Sequence, residues 1–400
     1  MLSGLTSSPS DSAEPASGGR IRLALVIHSL ESGGAERQFL QLVTGLDRTK
    51  FEPIIFVGRP SRERPESNEN CVILGPAPYS RATAPLQFAV RILNLAKHLR
   101  HFRPHILHAF LEERTLWMSA AAEAISPVPV FIGNRRSSVN SYRHNALQAT
   151  LERASMRRLD AMLTISHALE REVIADEFPR VETIPIGVDV NHFHPGGGEE
   201  LRAQLGWNHG EKVIGMVANF WPCKSHADFV KAAAILHASH PECRFLLMGN
   251  ERGTLAGVRR KIAESGLEGV FHIVEGSLDA APIYQAMNIY LCTSESEGFG
   301  NAVLEAMASG VPVVATRVGG LVEALTDGVE GLLIPVHSAE AAAEAVERVL
   351  HDELLALHRA AAARQRVLAR HSVAGMVRAH EVFYEEFLRE GRKRREYDTA

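Results

Sequence analysis

"SESEGFGNAVLEAMASGVPVVATRVGG", residues 294–320, sets Glu297 and Glu305 eight positions apart in a run that is otherwise small and apolar. A Gly-Phe-Gly turn follows the first glutamate, and a double glycine closes the stretch. "LCTS" (291–294) has the length of a short buried strand, "ESEGFGN" reads as the loop leaving its carboxyl end, and "NAVLEAMASG" as a helix stopped by Gly310. Such a loop offers the backbone N–H groups of Phe299, Gly300 and Asn301 at a helix N-terminus, where a phosphate is welcome. Glu297 then lies in the loop and Glu305 deeper, inside the helix. Two carboxylates at two depths suit a polyhydroxylated ligand, because an ionised carboxylate accepts hydrogen bonds from hydroxyls. The residues alone leave a second reading open, in which Glu297 favours the helix dipole and Glu305 is a solvated helix residue.

The strand–loop–helix pattern extends to both sides. "IRLALVIHSL" (21–30), "FEPIIFVG", "PHILHAF", "VPVFIGN", "DAMLTIS" and "RVETIPI" read as strands alternating with helical segments, and a second series starts at "EKVIGMVANF" (211–220). The Gly- and Pro-rich "IPIGVDVNHFHPGGGEE" (184–200) separates the two series. The predicted fold is α/β, with two Rossmann-like, doubly wound parallel-sheet domains facing a cleft, and ligands outside the carboxyl ends of the strands. The predicted boundaries are a disordered tail at 1–19, a first domain at 20–186, a second at 187–373, and a helix with a basic tail at 374–400.

Composition narrows the partners. A chain of 400 residues exceeds what one core usually organises, and a formal charge of -4 gives no global attraction to nucleic acid. Cys71, Cys223, Cys243 and Cys292 are scattered, without the close pairing of a zinc or redox site, which points to reduced thiols in a cytoplasmic protein. No apolar run approaches 18 residues, and the first twenty residues carry neither a basic nor an apolar signal region.

The spacing E-G-F-G-N-x-x-x-E-A-M-A-x-G-x-P-V-V-A-T-x-x-G-G resembles the signature of glycosyltransferase family 4, retaining enzymes of the two-domain GT-B fold. "SGGAER" (32–37), "GVDVNHF" (187–193), "VANFWPCKSHADFVKAAAIL" (217–236) and "GLVEALTDGVEGLLIP" (320–335) resemble further family segments, so the likeness runs from about residue 20 to 370. The resemblance implies a nucleotide-diphosphate sugar, a UDP- or GDP-sugar, as donor. Glu305 would hold its ribose hydroxyls. Glu297, with the Phe299, Gly300 and Asn301 backbone, would meet sugar and phosphates, and Lys224 would neutralise the diphosphate. Gly33 and Gly34 would let the first-domain loop approach the donor, while Gly249 and Glu275, ending two strands of the second series, would frame phosphate and base. No cofactor and no metal would be required, and a C-terminal helix would cross back onto the first domain.

Three departures from the family pattern bear on chemistry. Asn219 stands where an arginine is common, "IGNRRSS" (132–138) fills the place of a frequent histidine, and Phe110 replaces another. Without the usual base, retention can proceed by front-face attack, the leaving phosphate oxygen taking the acceptor proton. Arg135 or Arg136 would assist as a cation, and His108 is either a helper or a satisfied strand histidine. The implied reaction is sugar transfer to a glycan or lipid-linked acceptor in polysaccharide or glycoconjugate assembly. A nucleotide-sugar epimerase and a catalytically silent nucleotide-sugar-binding subunit are the alternatives. Finally, Arg143, Arg153 and Arg157 fall on one helical arc beside Leu147, Leu151 and Met162, either a solvated face with its leucines turned inward or a peripheral contact with an anionic membrane.

Overall fold

The computed structural model describes residues 19–398 except 31–32, 61–69, 76–82, 111–112, 138–145, 176–179, 209 and 277–278. The expected tail (1–19), apart from its last residue, and Arg143 of the basic arc lie outside the described residues, as does the Leu147 side chain. The first unit carries β1 (Ile21–Ile27), α1 (Gly34–Gly45), β2 (Phe51–Val57), β3 (Cys71–Ile73), α2 (Ala84–Phe102), β4 (Ile106–Phe110), α3 (Glu113–Ile125), β5 (Val130–Arg135), α4 (Ala146–Met156), β6 (Ala161–Thr164), α5 (His167–Ala175) and β7 (Val181–Thr183). The second carries α6 (Glu199–Gln204), β8 (Lys212–Val217), α7 (His226–Ser239), β9 (Cys243–Gly249), α8 (Leu255–Glu264), β10 (Phe271–Glu275), α9 (Ala281–Ala286), β11 (Ile289–Cys292), α10 (Asn301–Ala308), β12 (Val313–Thr316), α11 (Leu321–Ala324), β13 (Leu332–Ile334), α12 (Ala339–His351) and α13 (Glu353–Arg370), and α14 (Val373–Asp398) follows.

Continuous apolar runs such as Leu23–Ile27 and Ile289–Cys292 are buried on both faces, which is why they pair in parallel beneath helices on either side. The seven-stranded sheet has the order β3-β2-β1-β4-β5-β6-β7 and the six-stranded sheet β10-β9-β8-β11-β12-β13, with every pairing parallel. In each sheet the chain reverses direction at the central pair, β1/β4 and β8/β11. Loops leaving those strands diverge to opposite faces and open a crevice, the place where doubly wound sheets bind ligands.

Two chain segments cross between the units, and they brace each other. Val188 N–H donates to the His371 carbonyl at 2.7 Å, and Val373 N–H donates to Val188 at 3.3 Å. Gln38 of α1 clamps the same point, donating to the Gly187 carbonyl at 2.5 Å and accepting from its N–H at 3.0 Å. Farther along the interface, the Glu323 carboxylate of α11 accepts from the His167 and Ala168 N–H groups at 2.8 and 2.7 Å, capping α5 from the opposite domain.

Helix α14 runs back over the first domain, as the crossover helix expected from the sequence. Met376, Val377, Phe383, Tyr384 and Phe387 join the core formed by α1 and the first sheet. Ion pairs Lys50–Glu385 (3.1 Å) and Arg180–Glu390 (2.8 Å) flank the seam. The fully buried Tyr384 hydroxyl lies 2.8 Å from His108 Nδ1, and the His380 ring lies 6.3 Å from that of His108. Burial holds His380 down to about 4, and His108 is likewise pushed well below the ordinary histidine range, first by burial and then by neighbouring His380 and Arg136.

Two outcomes are expected. Tyr384→Ala should cost about 3–5 kcal/mol, as other buried aromatic truncations do, and calorimetry should register the loss as a lower melting temperature of the first domain. Unchanged melting would mean that α14 is merely appended. The buried histidines bind protons more weakly folded than unfolded, so the unfolded chain takes up the excess protons between about pH 6.5 and 4 and stability must fall as pH drops through that window. A urea midpoint that stays constant from pH 7 to pH 5 would contradict this.

Candidate functional site

The crevice of the second sheet is built by the loops leaving β8 and β11. The β8 loop turns at Ser225, held in the left-handed region at φ 48, and delivers Lys224 just before α7. Thr293, at the end of β11, ties the two loops together by donating to the Ser225 and Lys224 carbonyls at 3.1 and 3.3 Å. Lys224 Nζ meets Glu297 Oε1 at 2.6 Å, and the Ser294 hydroxyl donates to the same oxygen at 2.8 Å. Burial pulls the Lys224 ammonium down, but the Glu297 carboxylate and its hydrogen bond outweigh that and keep its pKa above the ordinary value.

The Gly-rich turn then starts α10. Gly300 caps it at φ 88, a conformation that strains any side chain, and the first helical bond is Leu304 N–H to Gly300 O at 3.1 Å. The N–H groups of Asn301, Ala302 and Val303 therefore have no partner within the helix. Phe299 contributes only backbone here, because its ring is buried 5.2 Å from His371. The double glycine has a steric purpose: a Cβ on Gly319 would strike the Glu297 carbonyl, and one on Gly320 the Gly298 carbonyl. The "VGG" turn thus lies flat against the glutamate loop and fixes its path, aided by Gly320 N–H donating to Glu297 O at 3.2 Å.

Glu305 is not a solvated helix residue; it is 5 % exposed. Its Oε2 accepts from the fully buried Tyr284 hydroxyl at 3.0 Å, and its Oε1 pairs at 2.9 Å with Arg37 of α1, across the crevice. Burial raises its pKa, while Arg37 and Tyr284 oppose that rise. The first domain reaches the site at two further points. Gly34 is so close to the Asn301 side chain that a Cβ would collide with its Nδ2, and Gly298 is equally close to the Arg136 carbonyl. Gly33 is extended (φ -157) and packs on Glu36.

The remaining expected residues divide. Gly249 sits against the Ala218 carbonyl at the β8 rim, and Asn219 Oδ1 accepts from the Asn250 backbone and side chain at 3.1 and 3.2 Å, an amide ordering the rim where the family pattern has a cation. Glu275 is exposed on the edge strand β10 and paired with Arg259. Two catalytic candidates turn away from the crevice. Arg135 is buried under α4, 2.5 Å from Glu152, because alternation along β5 sends residue 135 to the opposite face from its neighbour. Arg136 is the arginine at the seam, its guanidinium 5.9 Å above the Phe110 ring and pushed down to about 10 by burial. His108 is fully buried, with Nδ1 2.8 Å from the Tyr384 hydroxyl and its buried Nε2 without a hydrogen-bond partner among the described residues.

The basic arc is also reshaped. Helix α4 ends at Met156, Met162 is buried within β6, and Arg158 pairs with Glu123 at 2.5 Å, leaving Leu151, Arg153 and Arg157 exposed. Sequence reading missed Arg37, Tyr284 and Ser294 as site residues. Arg37 was in view within "GGAER", but nothing local says that it crosses to another domain.

Comparison with known proteins follows the same division of the chain. Residues 32–192 match the family described as Glycosyltransferase Family 4, and residues 198–366 the one described as Glycosyl transferases group 1. D-inositol 3-phosphate glycosyltransferase of Saccharomonospora viridis is 35% identical over 179 residues, covering 42% of this chain and 42% of the relative. The protein of that name from Nocardia farcinica is 33% identical over 191 residues, covering 45% and 42%. The match thus spans less than half the length of these curated relatives. Among solved structures, sucrose-phosphate synthase of Thermosynechococcus elongatus superposes with a TM-score of 0.80 at 22% identity, covering 93% of this chain and all of that one. Anabaena Alr3699/HepE in complex with UDP and glucose superposes at 0.81 and 18% identity, covering 92% and 100%. At these identities the likeness establishes the fold, that of the GT-B architecture.

The steric role of the double glycine can be checked by contrast. Gly320→Ala should lower the urea midpoint, since its Cβ has only backbone to displace, whereas Gly257→Ala in α8, with nothing within 4 Å, should raise stability by about 0.4–1 kcal/mol. Equal effects would remove the close approach as the reason for the glycines.

Proposed function

We propose that this chain, which belongs to glycosyltransferase family 4, transfers a sugar from a nucleotide-diphosphate sugar to a glycan or lipid-linked acceptor with retention of configuration. One observation carries the reading: two carboxylate–cation pairs, Lys224–Glu297 and Arg37–Glu305, flank the open N-terminus of α10 at the point where strand order reverses. A negatively charged diphosphate joined to a diol-bearing ribose and a sugar matches that sequence of groups. A uridine donor is favoured by the UDP and UDP-glucose complexes of the structurally similar HepE. The domains we assign are 20–186, 187–373 and a crossover helix from 374.

The chemistry follows from charge. As the glycosidic bond to phosphate breaks, negative charge grows on the leaving diphosphate, and Lys224 together with the α10 N–H groups opposes it. Glu297, released from Lys224 as the lysine turns to phosphate, accepts from sugar hydroxyls, and Glu305 accepts from the ribose. Arg136, rather than Arg135, supplies a further cation at the domain seam, and the leaving phosphate oxygen takes the acceptor proton. Closure of the first domain over the site excludes the water that would hydrolyse the donor. The scheme calls for no metal ion, because Lys224 and the α10 N–H groups oppose the developing charge. The acceptor lies on the first domain, and the exposed Leu151, Arg153 and Arg157 make peripheral contact with a membrane carrying a lipid-linked acceptor. A silent nucleotide-sugar-binding subunit is the second reading, favoured by Asn219 in place of a cation.

Glu305→Ala should weaken nucleotide binding by about 1.5–3 kcal/mol, while Glu297→Ala should depress turnover more than affinity. Lys224→Ala should weaken the nucleoside diphosphate far more than the nucleoside, and EDTA should leave transfer intact. Calorimetry and donor-consumption assays decide these outcomes. Full activity in both glutamate variants would refute the site, and binding without hydrolysis or transfer would favour the silent subunit. Co-sedimentation with anionic vesicles, reduced by salt and by Arg153→Ala and Arg157→Ala, tests the membrane contact; no binding rejects it.

A further inference from the structure

Glu305 and three other side chains close a ring of contacts drawn from three parts of the chain. Arg37 of the first domain pairs with Glu305 Oε1 at 2.9 Å, and the Tyr284 hydroxyl donates to Oε2 at 3.0 Å. The Tyr284 ring stands edge-on to Phe193 of the connecting segment at 5.8 Å, and the Arg37 guanidinium rests 5.6 Å above that same Phe193 ring. Glu305, Tyr284 and Phe193 are all buried, while Arg37 is 42% exposed at its side chain. A carboxylate buried to this degree tends toward its neutral form unless a charge partner holds it. Each carboxylate oxygen accepts at two positions, so Arg37 and Tyr284 leave one free on each oxygen, enough for two vicinal hydroxyls.

On this geometry, and resting on the donor-site reading above, we infer that Arg37 is a cross-domain positioning residue. From the first domain it keeps the second domain's Glu305 ionised and aimed at the 2′- and 3′-hydroxyls of the donor ribose. The contact exists only where the domains meet, at the close approach of Gly34 to Asn301. Ribose recognition and domain closure therefore favour each other, each strengthening the other by the same factor.

Among the described residues, the charged and titratable groups facing Glu305 are Arg37 on α1, Tyr284 on α9, Tyr290 on β11, and His192 and Asp279, which pair with each other at 2.7 Å. Without Arg37, desolvation raises the Glu305 pKa further, and hydroxyl recognition is lost as pH falls and restored as pH rises.

The test uses the full chain and its Arg37→Gln, Arg37→Lys and Glu305→Gln variants. Calorimetry at pH 6 and pH 8 is run with UDP, GDP and ADP, and with the 2′,3′-dideoxy form of whichever binds. The wild-type chain should prefer the ribo form by about ten- to a hundredfold at both pH values, the worth of hydrogen bonds to a charged acceptor. Arg37→Gln should lose most of that preference at pH 6 and regain it at pH 8, and Arg37→Lys should retain it. An unchanged preference in Arg37→Gln, tighter binding of the ribo form, or equal weakening of both forms without pH dependence overturns the inference. Glu305→Gln separates the two levels. If it abolishes the preference while Arg37→Gln does not, only the role of Arg37 fails; if it keeps the preference, or no nucleotide binds wild type, the donor-site reading fails as well.

Discussion

A carboxylate taken out of water must be paired, and among the described residues of the second domain it is the Tyr284 hydroxyl that hydrogen-bonds Glu305. Its charge partner comes from the other domain, so the site is complete only when the two sheets face each other. That single requirement connects features otherwise far apart. Gly34 of α1 lies against the Asn301 side chain of α10, Gln38 clamps Gly187, and the crossing segments at 187–188 and 371–373 hold each other in place. Helix α14 secures the first domain on the far side, with Tyr384 and Phe387 in its core.

The second pair works within one domain. Lys224 and Glu297 leave adjacent central strands, β8 and β11, and meet because strand order reverses between them. In the proposed donor site, phosphate would replace Glu297 on the lysine and sugar hydroxyls would replace the lysine on Glu297. Lys224 and Glu297 neutralise each other within the domain, so neither largely buried charge is left uncompensated.

Much of this was legible in the sequence, for identifiable reasons. Apolar runs of strand length alternating with helical spacing leave parallel sheets as the economical arrangement, and the Gly-Phe-Gly turn before "NAVLEAM" locates a helix start beside a strand end. The double glycine was conspicuous because close backbone approach leaves a compositional mark. Side-chain direction left no such mark. Arg135 and Arg136 are adjacent and identical, yet the last residue of β5 turns under α4 to Glu152 and the next, just past the strand, lies at the seam. The helical arc that included Met162 assumed one helix through a segment that breaks at Met156 and continues as a strand. Arg37 and Tyr284 acquire their meaning from contacts to Glu305, and no local pattern encodes the longer of these, which joins α1 to α10.

The most direct measurement is thermal unfolding of the full chain with UDP, GDP or ADP present at about a hundredfold excess over the dissociation constant. A ligand that binds only the folded protein adds about 2.7 kcal/mol under those conditions, so at least one nucleotide should raise the melting temperature, and the rise should disappear in Glu305→Gln. Melting that is indifferent to all three nucleotides, or a rise that survives Glu305→Gln undiminished, would contradict a nucleotide site built on the paired carboxylates.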